Sequence, residues 1–368
     1  MLAKIKQTRA YHHLVKLRDF MPALFFFGGF VWDALTIGRH VAAFDLIILS
    51  AYLSAAAAIL YGLGQPAVVW PSTWPRWLGK LYQRLRAAMA NWANLPYFLL
   101  QFLFGSMLSP LFILYFQSAS HGLAWVMTLL LGALLVGNEY MESKYRQFTI
   151  SWALFGFCAM LLLNFALPFL LGSIHAAWFY LSTLLGASLA YGLYKKTRKH
   201  NGNIKPVWLI ALLLMLAYRF DVIPPVPLVK RDLAVAYALT KVGGEYQLSQ
   251  QPSSWWVFWR KTSNDLEVTA GQRVYFFSSV FAPGGLNTRL YHRWQWHDEK
   301  RGWQTQSRIG YSLAGGRENG FRGYTYKQGL QAGDWRVSVE TENNKTVAVH
   351  EFSVAQVQTP ATPIKIAY

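Results

Sequence analysis

The sequence predicts a bundle of about seven membrane-spanning α-helices followed by an all-β, antiparallel, sandwich-like domain outside the cytoplasm. Three observations predict this architecture: long apolar runs separated by basic loops, a change of composition after residue 222, and strand-like alternation with turn residues beyond it. Only 14% of the 368 residues are charged, whereas a soluble domain usually carries about 25%. This scarcity excludes a single soluble globule and a disordered chain.

The apolar runs occupy residues 20–222, which we predict to form the transmembrane domain. A helix needs roughly 20 apolar residues to cross the hydrocarbon layer. The runs are Phe20–Gly38, Ala43–Gly64, Tyr97–Phe116, Leu123–Val136, Ile150–Leu171, Ala176–Tyr194 and Val207–Asp221. The fourth is long enough only if it also takes in Ser118–Gly122 or extends to Tyr140. Seven runs therefore predict seven crossings.

The charges of the loops predict the orientation. Residues 1–222 hold 18 Lys and Arg against 6 Asp and Glu. The cations gather before the first run, between the second and third runs and between the sixth and seventh, whereas the loop between the fourth and fifth is neutral. The remaining loops hold one formal cation, Arg39, and cations mark the cytoplasmic side. The basic leader over residues 1–19 is long and no Ala-x-Ala-like cleavage site follows the first run, so that run is expected to act as a retained anchor. We predict a bacterial inner-membrane protein with a cytoplasmic amino terminus and a periplasmic carboxyl-terminal domain.

The loop between the second and third runs contains a predicted amphipathic helix at residues 76–92. Its apolar residues recur at helical spacing, and Arg76, Lys80 and Arg84 form a separate stripe. Such a helix lies on anionic headgroups at the cytoplasmic surface. It is either a packed interfacial helix or a regulatory element.

Four charged residues lie within or at the ends of the predicted crossings, toward the predicted outer face. They are Asp33, Asp45, Arg219 and Asp221. Charges are costly inside a bilayer and are therefore functional candidates, for binding a substrate headgroup or relaying a proton. The alternative is that the two early acids pair with Arg39 or Arg219, or lie at the wet interface.

We predict a Pro-rich joint at residues 223–233, followed by the β-sandwich domain at residues 234–368. Hairpins are expected about Gly243-Gly244 and about Asn343-Asn344. Further predicted strands are Arg273–Phe281, Thr288–His297, Trp303–Ser312, Asp334–Thr341 and Thr346–Val354. The chain's one cysteine, Cys158, lies in the fifth run, so no disulfide can form within the chain.

No established catalytic motif is present, so we predict no catalytic residue, no metal site and no cofactor. A catalytic Ser–His–Asp triad is not expected from Ser278, Ser279, His292 and Asp298, because any domain of this length offers such a combination of residues. Glu340 and Glu342 are expected to point to one face near a strand end, where they are solvated.

The segment Gly315–Asp334 combines cations with aromatic residues on a Gly-rich frame. This combination suits sugars, phosphates or an acidic partner, although the glycines are equally expected to form plain turns. The predicted recognition residues are Arg322, Tyr324, Tyr326, Lys327 and His292. Trp294, also considered for recognition, and Trp335 are expected in the core. Nucleic acid is not expected as a partner, because the domain is predicted to lie outside the cytoplasm and much of the basic charge sets topology.

Several segments carry a family resemblance. They are IPPVPL at 223–228, VYFFSSV at 274–280, YHRWQW at 291–296, RGYTYK at 322–327, GDWRVSV at 333–339 and HEFSV at 350–354. Together they resemble an uncharacterised family of bacterial multi-pass inner-membrane proteins. The resemblance implies several membrane spans and a terminal β-rich domain of unknown function, and it implies no activity.

These predictions leave three hypotheses for function. The first is a membrane-anchored binding or scaffolding module of the cell envelope, with the bilayer and an envelope glycan, lipid or periplasmic protein as partners. The second is a transporter or membrane-embedded enzyme that acts on a lipid-linked substrate near the outer leaflet, through Asp33, Arg219 and Asp221. The third is a sensor that signals through the helix at 76–92 to a partner.

Overall fold

The structure is a computed structural model that describes most of the chain. The described residues are 31, 33, 43–65, 94–119, 123–197, 202–226, 228–253, 257, 262–282, 287–314, 321–359 and 362–368. The basic leader, most of the first apolar run, Arg39 and the helix predicted at 76–92 lie outside them. The chain divides into two compact units, which are Met1–Leu114 with Thr128–Leu163 and Leu181–Met215, and Tyr115–Met127 with Asn164–Tyr180 and Leu216–Tyr368.

Seven helices lie in the described amino-terminal part. They are α1 (Ala43–Leu63), α2 (Leu95–Ser118), α3 (Ala124–Asn138), α4 (Glu142–Tyr145), α5 (Thr149–Leu171), α6 (Ala176–Lys196) and α7 (Lys205–Arg219). Apart from the four-residue α4, each coincides with a predicted apolar run to within a few residues. Long apolar runs identify these helices because an α-helix satisfies its own backbone hydrogen bonds.

Four of these helices, α1, α2, α5 and α6, are long and apolar enough to cross a membrane. The short helices α3 and α7 have 15 residues each, which corresponds to about 22 Å against a hydrocarbon layer of about 30 Å. The prediction of seven membrane-spanning helices is therefore not supported by the described residues. The first predicted crossing lies outside them except for Val31 and Asp33, which are helical.

Glycines allow close helix packing in the first unit. A Cβ added at Gly186 of α6 would lie 2.6 Å from the backbone nitrogen of Met160 in α5. A Cβ at Gly156 of α5 would lie 2.8 Å from a methyl group of Val207. Small residues at such points let helix backbones approach, as is typical of helix pairs in membranes.

The carboxyl-terminal part forms eleven described strands. They are β1 (Val229–Ala236), β2 (Ala238–Val242), β3 (Glu245–Gln250), β4 (Asp265–Val268), β5 (Arg273–Phe281), β6 (Asn287–Asp298), β7 (Gly302–Ala314), β8 (Phe321–Gln328), β9 (Gly333–Thr341), β10 (Thr346–Gln356) and β11 (Ile364–Ala367). The prediction of a β-rich domain is confirmed. Both predicted hairpins are also present, and Gly243 and Gly244 have φ of +59° and +89°, as a tight two-residue turn requires.

The strands pair into three sheets, with orders β1-β5-β8, β4-β10-β9-β6-β7 and β11-β3-β2. The main core lies between the first two sheets and includes Phe276, Trp294 and Val337. A second cluster, with Leu248 and Phe277, lies between the first sheet and the third. The β1-β5-β8 sheet is thus covered on one face and partly covered on the other, so the predicted two-layered sandwich lacked one layer.

Three further features differ from the predicted antiparallel domain. Strand β4 pairs with β10 in parallel, because β4 is reached by a long connection instead of a hairpin. Strand β8 occupies residues 321–328, within the segment that was predicted as a Gly-rich loop or binding surface. Strand β1 begins at Val229, inside the region predicted as the joint.

The β9–β10 turn contacts the end of α7 within the second unit. The ammonium group of Lys345 donates to the carbonyl oxygens of Tyr218 and Arg219, the latter at 3.2 Å, and lies 4.0 Å from Asp221 Oδ1. The Thr346 amide also donates to Asp221, at 3.4 Å. The last carbonyls of a helix lack partners within the helix, and a cation there complements the helix dipole. Lys345 therefore caps α7 from the β domain.

Replacing Lys345 by Met is expected to loosen this junction. The uncapped carbonyls lose a charged donor, which costs about 1–2 kcal/mol. Hydrogen exchange of the full-length protein in nanodiscs should then show faster exchange of the amides at residues 218–228. Lys300→Met, in the exposed β6–β7 turn, is the matched control. Equal exchange in the two variants would contradict the capping role.

Candidate functional site

Four tyrosines from three strands form a continuous aromatic surface, which we call the tyrosine surface: Tyr246, Tyr275, Tyr324 and Tyr326. Tyr324 lies 6.1 Å from Tyr246 and 6.4 Å from Tyr275, and Tyr275 lies 5.7 Å from Tyr326, between ring centres. Tyr324 and Tyr326 are 44% and 49% exposed. Contiguous exposed aromatic area is a feature of binding surfaces.

Three cations border the tyrosine surface. The guanidinium carbon of Arg273 lies 5.2 Å from the centre of the Tyr326 ring. The ammonium group of Lys241 lies 5.7 Å from the centre of the Tyr246 ring. Arg322, two residues before Tyr324 on β8, shares its face of the strand. The contacts of Arg273 and Lys241 with the rings are attractive, because the face of an aromatic ring is electron-rich.

The register of the strands brings these residues together. Tyr275 of β5 pairs with Tyr326 of β8, and Phe277 pairs with Tyr324. Phe277 is buried beneath the β2–β3 hairpin, and Tyr246 of that hairpin lies 5.4 Å from it. Arg322 donates to the carbonyl of Gly244, at 3.4 Å, and so holds the hairpin turn against β8.

Of the predicted recognition residues, Arg322, Tyr324 and Tyr326 lie together on the tyrosine surface. Lys327 lies on the opposite face of β8, because it pairs with the buried Val274. His292 is fully buried in the core, apart from this surface. Sequence reasoning missed Tyr275 and Arg273, although the alternation in β5 places both on one face.

His292 belongs to an enclosed network of polar side chains. Its Nε2 lies 2.8 Å from Ser278 Oγ, and its Nδ1 lies 3.0 Å from Thr325 Oγ1. Trp294 donates to the same Thr325 oxygen at 3.0 Å, and Tyr311 OH lies 2.8 Å from Ser278 Oγ. Burial lowers the pKa of His292 to about 3, so the imidazole is neutral.

This network resembles a catalytic Ser–His pair only in its hydrogen bond. Ser278 and His292 are both 0% exposed, and the second imidazole nitrogen faces a threonine instead of a carboxylate. Asp298 lies at the other end of β6, where it accepts hydrogen bonds from the amides of Lys300 and Arg301. The pair therefore stabilises the core, as do Trp294 and Trp335, whose predicted burial is confirmed.

Glu340 was expected to be solvated, and the structure corrects this. Its side chain is fully buried, with Oε1 at 2.7 Å from Arg293 Nη2 and Oε2 at 3.5 Å from Arg308 Nε. Burial raises the pKa of the Glu340 carboxyl group, and the two guanidinium groups oppose this change. The long arginine side chains cover the carboxylate, which strand position alone did not reveal.

The structure shows the surroundings of the four charged residues that were predicted as functional candidates in the helical part. Asp33 Oδ2 accepts a hydrogen bond from Ser109 Oγ at 2.6 Å. Asp45 lies in the first turn of α1 and Arg219 in the last turn of α7, where each complements the helix dipole. Asp221 lies in the junction with Lys345 described above.

The fold and these surfaces define a class of protein: a helical region with membrane-like apolar helices, followed by a β domain. The sequence model of a family described as "Protein of unknown function (DUF2914)" matches residues 287–354, which include β6, β7, β8 and β9 and most of β10. The predicted resemblance is thus confirmed for the carboxyl-terminal region as a domain of unknown function. No curated protein matches the chain.

Several solved structures match parts or most of the chain at low similarity. A β-glucosidase from Kluyveromyces marxianus matches at 15% identity and a TM-score of 0.20 over 28% of this chain and 14% of its own. A β-glucosidase from Listeria innocua in complex with gluconolactone matches at 11% identity and a TM-score of 0.19, over 34% and 16%. The DNA glycosylase AlkC of Pseudomonas fluorescens matches at 10% identity and a TM-score of 0.19, over 84% and 97%. At TM-scores this low the similarities support no argument, so nothing is carried over from these proteins.

Proposed function

We propose that the chain is a multi-pass protein of the bacterial inner membrane whose periplasmic β domain binds a component of the cell envelope through the tyrosine surface. The observation that carries the proposal is the row of four tyrosines, of which Tyr324 and Tyr326 are exposed, with bordering cations. Binding sites combine aromatic contact area with a few polar or charged groups that fix orientation.

The proposed location rests on the charges that flank α6 and α7. Lys195 and Lys196 end α6, and Lys205 begins α7, so the loop between these helices is basic. The loop before α6, Gly172–His175, carries no formal charge. Cations mark the cytoplasmic side, and the chain runs from the basic loop through α7 to the β domain. The proposal takes α7 to cross the bilayer, which a helix shorter than the hydrocarbon layer does by local thinning of the bilayer. This arrangement favours a β domain on the periplasmic side.

Photo-crosslinking in living cells tests the binding surface. We expect p-benzoylphenylalanine at position 326 of the full-length protein to form a covalent adduct on irradiation, because Tyr326 is exposed on the proposed surface. The control carries the same group at Ile309 of β7, which is 37% exposed and lies outside the surface. Absence of an adduct at 326, or equal adducts at both positions, would overturn the proposal.

A second function, transport or chemistry on a lipid-linked substrate, is favoured by one observation. Asp33 is a carboxylate in the helical part whose described partner is the hydroxyl group of Ser109. If the bundle does this work, Asp33→Asn should reproduce the phenotype of a deletion, whereas the double variant Tyr324→Ala and Tyr326→Ala should not.

A further inference from the structure

The rings of the tyrosine surface are arranged as a twisted row. Neighbouring ring planes are tilted by 63°, 48° and 44° along the series Tyr246, Tyr324, Tyr275 and Tyr326. Each ring therefore offers contact area in a different direction. A ligand that uses the whole row needs several flat units that rotate relative to one another.

Two of the cations, Arg322 and Arg273, lie at opposite ends of the part of the row that β5 and β8 form. Arg322 is near the start of β8, and Arg273 pairs with Gln328, six residues further along that strand. At about 3.3 Å per residue, the two positions are separated by roughly 20 Å. This span exceeds a single small ligand and matches an extended polymer with acidic groups along its length.

The charges on this side of the sheet are predominantly positive. Lys241 shares its face with Tyr246, since the two residues pair directly across the β2–β3 hairpin. Glu245, the next acid in the hairpin, alternates to the other face of β3. Asp232, which is exposed, lies two strands from Arg322 on the same sheet. Three cations against one acid favour an anionic ligand.

From this geometry we infer that the tyrosine surface binds an acidic polysaccharide, a chain of pyranose rings that bear carboxylate groups. The inference rests on the proposed binding function and names its ligand class. The C–H face of a pyranose packs on an aromatic ring, its hydroxyl groups bond to the tyrosine hydroxyl groups, and its carboxylates pair with arginine. The glycosidic linkages allow the rotation between units that the tilted rings demand.

Calorimetry with defined polymers tests this inference. The full-length protein in nanodiscs of neutral phosphatidylcholine is titrated with polygalacturonate, and in parallel with neutral dextran, polyglutamate and phosphatidylglycerol vesicles. We expect binding of polygalacturonate that weakens with added salt, and binding at least about tenfold weaker for the other probes. Equal binding of polyglutamate would indicate an acidic protein partner, and equal binding of the vesicles a lipid surface. Either result would overturn the inference.

Variants separate ring contacts from charge. The double variant Tyr324→Ala and Tyr326→Ala should weaken polygalacturonate binding by about tenfold or more, whereas Tyr326→Phe, which keeps the ring, should retain it. Arg273→Gln should weaken it by about fivefold. Arg301→Gln, in the exposed β6–β7 turn, is the charge-matched control. Equal losses for the two arginine variants would contradict a defined site.

The two proposals fail separately. If position 326 crosslinks in cells but purified protein binds no polygalacturonate, the binding function stands and the ligand class is wrong. If position 326 forms no adduct, the binding function fails. Polygalacturonate binding that is unchanged in the tyrosine double variant would overturn the inferred site by itself.

Discussion

Acidification from pH 6.5 to pH 5 is expected to destabilise the β domain by about 1 kcal/mol per pH unit for each of two buried histidines. Burial lowers the pKa of His292 to about 3 and, together with nearby Lys230, that of His350 to about 4, from 6.5. Below pH 6.5 the unfolded chain binds protons that the folded domain excludes. The contribution of the two neutral histidines to the free energy of unfolding is therefore fully present above pH 6.5. It is lost as the pH falls toward their folded-state pKa values.

Tryptophan fluorescence of the full-length protein in nanodiscs measures this loss as the denaturant midpoint at pH 7, 6 and 5. His350→Phe should reduce the pH dependence with little loss at pH 7, because the ring lies beside Phe352 and its Nε2 has no hydrogen-bond partner among the described residues. His297→Gln, on the opposite face of β6 from His292, is the comparison variant. A midpoint that does not move between pH 7 and pH 5 would contradict the prediction.

Replacing Glu340 by Gln is expected to lower the free energy of unfolding by about 3 kcal/mol. The substitution leaves Arg293 and Arg308, which face each other directly across β6 and β7, without their shared carboxylate. The loss lies at the lower end of the range for a broken buried pair, because the arginine side chains are 32% and 31% exposed and partly rehydrate.

Glu342→Gln provides the matched control for this measurement, since Glu342 is exposed two residues away. We expect a change within about 0.5 kcal/mol there, as for most surface substitutions. Hydrogen exchange of the β6 and β9 amides in the full-length protein measures the change in the free energy of unfolding for both variants. Equal effects of the two substitutions would show that the buried carboxylate contributes no stability.

Local patterns were sufficient for most of the secondary structure. The predicted strand Arg273–Phe281 is β5 to the residue, and the run Ile150–Leu171 begins one residue later than α5. Both assignments depend only on neighbouring residues, through alternation in the strand and an uninterrupted apolar run in the helix. The segment at 321–328 was less clear because its glycine and its exposed tyrosines resemble a loop, although the strand pairs along its whole length with β5.

The candidate site could be predicted only in part, for the same reason. Arg322, Tyr324 and Tyr326 are close in sequence, so their grouping followed from alternation on one strand. Tyr246 and Tyr275 joined them through strand pairing and through packing of the third sheet on the first. His292 was assigned to recognition because alternation showed which face of β6 it lies on. Alternation did not show that the β1-β5-β8 sheet covers that face.

The sequence by itself determined the positions of the described apolar helices and of strands such as β5, where the hairpins turn, and that Trp294 and Trp335 are buried. These features depend on residues a few positions apart, whose backbone geometry and hydrophobic period act locally. The tertiary structure alone decided the order of the strands, the parallel pairing of β4, the capping of α7 by Lys345 and the burial of Glu340. Each of these depends on contacts between residues far apart in the chain, where many pairings satisfy the same local pattern and only packing of the complete core selects one.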